Sequence, residues 1–418
     1  MEVINKNKVL QFLEDLSIPE DNSSVRKEAL QALQGMDFPT TKVEDWKYTR
    51  TTKITNKSFR QLVDKVSVVP YQLQDVKAHQ LVISNGYYDR ESSTILEDDA
   101  ISVLTIDQLD EDYYTNIIED IDENVFSLIN KAYSTGGVFL KVEKNKKSRY
   151  PIHIIHVSSG EEVIANTRHF FYAEAGSKAE IIMSFHSENA KNSFNNVVFE
   201  GHVETNACLK INKIQAEERN MFHVSNEHFI QEKSSNFHLN TVTTGGLLVR
   251  NGLTVLVDGE NCFTELNGVY LGKEKQHIDN HTFVDHLHGN CTSSEMYKGV
   301  MDDQSTGVFN GKVIVRQDAQ KIEAYQSNGN ILLSDKATVN SKPELEIYAD
   351  DVRCSHGSTT GQLDNDALYY LRTRGLSRKA AKELLVAAFI GEVLDKVENE
   401  SLRKYIDKIF LNDYGWEF

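Results

Sequence analysis

The 418-residue chain lacks most of the signatures that mark common enzyme classes. No GxxxxGK(S/T) phosphate loop occurs, and the nearest approach, "GVFNGKV" at Gly307–Val313, has the wrong spacing for ATP hydrolysis by that device. GxGxxG, GxSxG and HExxH are also missing, which removes the usual dinucleotide-binding, hydrolase and zinc-peptidase readings. Cysteine is scarce. Cys208, Cys262, Cys291 and Cys354 are widely scattered with no CxxC, so neither a disulfide framework nor a zinc ribbon is written here. The longest apolar run, "LLVAAFIG" from Leu384, falls far short of the roughly 20 residues that span a bilayer. The opening "MEVINKNKVLQFLEDL" mixes charge with apolar residues and lacks the apolar core of a signal peptide, so a soluble cytoplasmic protein is expected. Basic charge is also in deficit. With 45 Lys and Arg against 62 Asp and Glu, the formal charge is -17, and no local basic stripe offsets it, which disfavours nucleic acid as a partner.

What is present changes texture twice. "NKVLQFLEDL" and "SSVRKEALQALQGM" place apolar residues at helical spacing, the second with a serine at the N-cap position and a glycine after its last turn. A charged aromatic cluster, "FPTTKVEDWKYTRTTK", follows around Trp46 and Tyr48, then alternating runs and the acidic "DEDYYTNIIEDIDENVFSLINKAY", read as helical. From about Val138 to Asp350 helical periodicity gives way to short apolar alternations bounded by Gly, Asn and Ser. Aligning the turns places Ala179, Cys208, Phe237, Cys262 and Cys291 in one phase, with steps by subtraction of 29, 29, 25 and 29 residues. A period in that range marks units that bury their faces only by stacking, and units of short strands alone predict a parallel β-helix. The cysteines of this phase then read as inward packing residues. Helices return after residue 358, with Asp364 and Ser377 as N-caps, Gly375 as a stop, and a third helix from Ser401. The expected organisation is an N-terminal α/β region over 1–136, a β-helix core over 137–358 and a C-terminal helical domain over 359–418. The helix around Leu384–Ile390 is apolar on every side, so a partner or the solenoid itself must cover it.

Candidate chemistry gathers in three places. "QHIDNHTFVDHLHGNC" carries His277, His281, His286 and His288; on a strand His286 and His288 share a face with His281 opposed, a spacing that suits a polar ladder as well as a metal site. The acids of "YADD" with Asp303 and Asp318 would have to converge to serve a carbohydrate-active solenoid enzyme. In "DDVRCSHGSTTGQLD", Cys354 and His356 stand two residues apart and face the same way on an extended segment, as ligands for zinc, copper or an iron-sulfur species. Two ligands do not close a tetrahedral site, so any others must come from elsewhere in the fold or from another chain.

The run "AQKIEAYQSNGNILLSDKATVNSKPELEIYADDVRCSHGSTTGQLDNDALYYLRTRGL", with "RNGLTVLVDGENCFTELNGVYL", "QHIDNHTFVDH" and "YKGVMDDQSTGVFNGKVIV", resembles the SufB/SufD family of the SUF iron-sulfur cluster assembly machinery. The resemblance is dense from about Arg250 to Leu376; upstream, "KVEDWKYT" looks like the family's N-terminal motif. Gly357 stands where the SufB branch carries the glutamate of CxHEAT, which favours the SufD branch over a SufB-like subunit, although Ser358 departs from the alanine usual in both. The resemblance implies a non-catalytic scaffold with a central β-helix. It implies pairing with SufB through the β-helix ends, or a homodimer in isolation, and docking of the ATPase SufC on the helical domain, where Leu385 and Phe389 are candidate contacts. It further implies that His356, with Cys354 as a lesser neighbour, holds a transient iron-sulfur cluster at the SufB interface. A reduced flavin accompanies the complex in some members, and no motif here locates its site.

Overall fold

The computed structural model describes residues 7–19, 24–74, 76–109 and 124–416. The alternating segments wind into a parallel solenoid of two sheets. One sheet has ten strands, running from Val352–Gln362 back through Ile322–Leu332 and every second strand of the chain to His79–Ser84 and Tyr87–Tyr88. The other has nine, from Thr338–Ile347 back to Val138–Val142 and Ile101–Thr105. Each coil therefore contributes one strand to each sheet and turns at two opposite corners. Side chains alternate along every strand, so one set fills the space between the sheets and the other faces outward. The inner set forms one continuous apolar cluster that includes Leu81, Ile154, Phe199, Leu239, Val255, Leu266, Val313 and Ala324.

The repeat is real, and its phase differs from the expected one. Cys208 pairs with Asn236, Asn236 with Phe263, and Phe263 with Thr292, which by subtraction makes these coils 28, 27 and 29 residues long. Ala179, Leu209, Phe237, Thr264 and Ser293 form one inward row. Cys262 and Cys291 belong to the row two residues earlier, with Ala207 and Ser235, and are buried as packing residues should be. Cys208 lies between the two rows, points outward and is half-buried, which corrects its assignment to the inward ladder. A slip of one residue reverses the face of a strand residue, so a turn alignment wrong by one reassigned it. The corner itself supplies the true marker: Gly176, Asn206, Ser234, Asn261, Asn290 and Lys321 all have positive φ, between 57° and 69°. Asn and Gly enter this left-handed region most readily, and each is followed by the small or apolar inward residue of the ladder.

Helical layers cover both outer faces. On the nine-stranded sheet, Phe12, Phe38, Trp46, Phe59 and Phe126 pack against Ile164, Phe194, Phe222 and Leu248. Phe126 lies in helix Val125–Tyr133, whose Asn124 side chain accepts from the backbone N–H of Phe126 and Ser127. The acidic run before it, 110–123, lies outside the described residues, as does position 23 before helix Ser24–Leu33. On the ten-stranded sheet, Val386, Ile390 and Val393 of helix Arg378–Leu394 and Leu402, Ile406 and Phe410 of helix Glu400–Tyr414 cover Ile182, Ile214, Val242 and Val269. Asp364 and Ser377 cap their helices as the sequence predicts, and Asn399 caps the last. The final strand carries the sheet across residue 358 to Gln362, and the first C-terminal helix begins at Asn365. Among the described residues no helix is long and apolar enough to cross a membrane.

Candidate functional site

The two ends of the solenoid differ in how they stop. At the N-terminal end both sheets finish in antiparallel strands, Tyr87–Tyr88 on His79–Ser84 and Ile101–Thr105 on Val138–Val142. At the other end Thr338–Ile347 and Val352–Gln362 each pair on one side only among the described residues, leaving a row of backbone donors and acceptors on the free edge. Apolar side chains surround this open end: Tyr325, Ile347 and Tyr348 are exposed, and Leu332, Val339, Leu345 and Val352 are only partly covered.

Cys354 and His356 stand on that last strand. Cys354 pairs in register with Ala324 and packs its thiol side against the end of the core, where burial pushes its pKa up. Alternation puts His356 on the same face, in register with Gln326, and it is exposed. The structure thus brings the pair together at the mouth of the solenoid. Among the described residues, no three His, Cys, Asp or Glu side chains gather in a geometry that holds a metal ion. Below the mouth the interior is polar, a feature that sequence reasoning missed. Gln326 donates to Glu295 at 3.2 Å, Thr282 donates to the same carboxylate at 2.6 Å, and burial raises the Glu295 carboxyl to about 7. Asn328 and Asn330 bond to the Tyr270 hydroxyl, and Ser358 reaches Asn328 through Ser341. The signal was present in "YQSNGN", where Gln326, Asn328 and Asn330, at every second position, turn inward and are polar.

The other sequence candidates disperse. His286 points inward and bonds to Ser293 at 2.9 Å, His281 faces out to Asp279 at 3.0 Å, and His288 sits in a turn 2.9 Å from Asp258. His277 is buried under the N-terminal layer, 2.7 Å from the Thr49 hydroxyl, which also donates to Asp279. That contact explains the N-terminal motif: Trp46 stacks on Phe126 at 5.4 Å, lies under the Arg250 guanidinium at 4.0 Å, and Arg250 pairs with Asp279 at 2.6 Å. "EDWKYT" is a clamp between the N-terminal layer and the sheet. Asp303 and Asp318 occupy turns at opposite corners of a coil, after Met301 and after Val315, so they make no catalytic carboxylate pair. Phe389 turns its ring toward the sheet, over Gly329 and 4.9 Å from Lys298 Nζ; Leu385 is half-buried beside it, and Leu384 is exposed. Helix Asn365–Thr373 buries no residue, and its Tyr369 and Tyr370 are 70% and 56% exposed.

Comparison with known proteins agrees with this architecture. The family description "SUF system FeS cluster assembly, SufBD core domain" matches residues 156–389, and "SufBD protein N-terminal region" matches residues 11–154. The iron-sulfur cluster assembly protein SufD of Escherichia coli is 28% identical over 385 residues, covering 90% of this chain and 89% of the relative. A SufBD family protein of Synechocystis, slr0076, is 30% identical, covering 95% of this chain and 93% of its own length. The chloroplastic protein ABCI7 of Arabidopsis thaliana is 28% identical over 430 residues, covering 94% of this chain and 88% of the relative. With the core description alone spanning more than half of the residues and the N-terminal description meeting it, the chain belongs to the SufB/SufD family of the SUF iron-sulfur cluster assembly system.

Proposed function

We propose that this chain is a non-catalytic scaffold subunit that pairs with SufB through the open end of its solenoid and supplies His356 as one ligand to an iron-sulfur cluster in transit. The observation that carries the reading is the coincidence of an uncapped pair of sheet edges with an exposed histidine on the last strand. A free edge adds a strand from a partner by backbone hydrogen bonding, and the apolar rim of Tyr325, Ile347 and Tyr348 gives that addition area to bury. Cys354 and His356 are too few to saturate iron, so the partner completes the set. The neutral imidazole is the ligating form. A second copy of the chain has the same edge, and a homodimer in the absence of SufB follows from the same argument. The ATPase SufC docks on the C-terminal helices, where Tyr369, Tyr370 and Leu384 are the exposed face; Leu385 and Phe389 hold the helix that presents it.

The test is anaerobic cluster reconstitution on the co-purified complex of SufB, SufC and this chain. His356→Ala should leave complex assembly and ATP hydrolysis intact while cluster yield falls about tenfold or more, since a metal ligand is lost. Cys354→Ala should have the smaller effect. Wild-type cluster yield on a His356→Ala complex would move the ligand site elsewhere.

A further inference from the structure

Cys262 and Cys291 meet inside one corner of the solenoid, away from the mouth. Both stand in the inward row where a coil leaves its turn, and the pairings that follow directly, Asn236 with Phe263 and Phe263 with Thr292, put Cys262 in register with Ser235 of the coil before and Cys291 of the coil after. The two thiols repeat one pose. Cys262 Sγ lies 3.0 Å from the carbonyl oxygen of Glu232, and Cys291 Sγ lies 3.1 Å from that of Gly259, the corresponding position one coil on. Cys262 Sγ is also 3.3 Å from the Gly259 oxygen, so both sulfurs meet at one carbonyl. The Cys262 backbone N–H donates to Cys291 Sγ at 3.4 Å, which holds the second thiol against the earlier coil. Side chains in the same pose on hydrogen-bonded parallel strands lie one strand spacing apart, about 4.8 Å.

That separation discriminates between the ways in which two thiols act together. A disulfide draws its Cβ atoms to about 3.8 Å, closer than neighbouring strands hold them. A cation midway between the sulfurs would stand about 2.4 Å from each, near the ~2.3 Å of a zinc–thiolate bond. The other atoms around the sulfurs are neutral oxygens: the Gly289 carbonyl at 3.4 Å from Cys291 Sγ, and the Glu260 carbonyl and Ser235 hydroxyl at 3.9 and 3.7 Å from Cys262 Sγ. The charged side chains of the same turns pair at the surface, Lys233 with Glu260 at 3.7 Å and His288 with Asp258 at 2.9 Å. Two soft sulfurs without a third strong ligand suit a soft cation; zinc asks for four ligands, and calcium and magnesium ask for more, all of oxygen. The hydrogen bond between the thiols lowers the Cys262 pKa and raises that of Cys291, so the pair gives up its first proton readily.

We propose that Cys262 and Cys291 form a two-coordinate site for a soft monovalent d10 cation, Cu(I) or its congener Ag(I). The cation enters between the sulfurs, both thiols lose their protons to solvent, and two metal–sulfur bonds replace the hydrogen bonds to the Glu232 and Gly259 carbonyls. No electron changes hands. The cysteines are only 2% and 1% exposed, yet each directly follows a corner asparagine with positive φ, Asn261 or Asn290, so an ion reaches them by displacing a turn without parting the sheets. The site is independent of any ligand role for His356.

The probe is Cu(I) held by excess bicinchoninate without oxygen, offered to the folded full-length chain carrying Cys208→Ser and Cys354→Ser so that only the pair remains. One equivalent of copper should pass from the dye to the chain. Adding either Cys262→Ser or Cys291→Ser should reduce capture about tenfold or more, because one sulfur ligand is lost. Serine is what Ser235 already supplies to this row one coil earlier, so these variants should keep the fold. Zinc offered to the same chain should not be retained. X-ray absorption at the copper edge should show two sulfur neighbours, a reading that needs no substitution in the pair. Undiminished capture by either added variant, equal retention of zinc, oxygen or nitrogen neighbours in place of sulfur, or a Cys262–Cys291 disulfide recovered in place of the metal would overturn the proposal.

Discussion

The closed and open ends of the solenoid are built from the same repeat and behave as opposites. At the N-terminal end an antiparallel strand on each sheet ends the parallel addition. Gly137, where the chain enters the first parallel strand of the nine-stranded sheet, has φ 141° and approaches the Arg168 carbonyl so closely that a Cβ would collide with it. At the C-terminal end nothing among the described residues plays the part of the antiparallel strand, and the polar side chains that run through the interior from His156 and His169 past Lys213 and Glu227 continue to the open mouth as Gln326, Asn328 and Asn330. A parallel stack does not terminate itself. Its ends are decided by what is laid on them, and here one end is finished within the chain.

Acid should separate the two ends most sharply. His153, His169 and His186 are fully buried in the first coils, and burial depresses each to about 3. Between that value and the unfolded value near 6.5, the unfolded chain binds more protons than the folded one, so stability falls as pH falls through this window. Each imidazole withholds about 2 kcal/mol by pH 5 on this reckoning, and hydrogen exchange at pH 5 should show protection lost across 152–191 before 322–362. Loss in the reverse order would break the comparison. Phe126→Ala, which empties a site between Trp46, Phe38 and Phe194, should cost about 3–5 kcal/mol and lower the melting temperature of the chain. At the open end Ile347→Lys should change the unfolding free energy from denaturant melts by no more than about 0.5 kcal/mol, because the side chain is already exposed, while abolishing the proposed association with SufB in size-exclusion chromatography. Strong destabilisation by that substitution would show the rim to be core.

The sequence made the solenoid legible because period is a property of spacing alone. The C-terminal helices were legible because Asp364, Ser377 and Gly375 are local signals. Phase was harder. Cys208 and Cys262 each follow an asparagine, but in "TNAC" an alanine intervenes, and that single residue turns one thiol outward and the other inward. The pairing of Cys354 with His356 on one face followed from strand alternation, whereas the polar interior beneath them depends on which strand of "YQSNGN" lies next to the last one. Phe389 was ambiguous for a similar reason. A helix apolar all round does not declare which side meets the sheet, and that is settled by Gly329, whose missing side chain leaves room for the ring. The Trp46 clamp joins residues some 200 positions apart, by subtraction from Arg250, and no local pattern announces such a contact.

The closed end also comes first in the chain. A polypeptide leaves the ribosome N-terminus first, and in a stacked repeat each new coil finds its hydrogen-bonding partner on the coil before it. The antiparallel strands on the first coils leave no parallel edge there, so the edge to which a further coil could be added is the one at Val352–Gln362. The helices that brace the ten-stranded sheet are made last and reach back to strands already in place, with Tyr405 bonding to His186 and Tyr414 to the Leu271 carbonyl. The edge left bare is the edge on which a further coil would be stacked, and a partner strand of the proposed kind would take that coil's place.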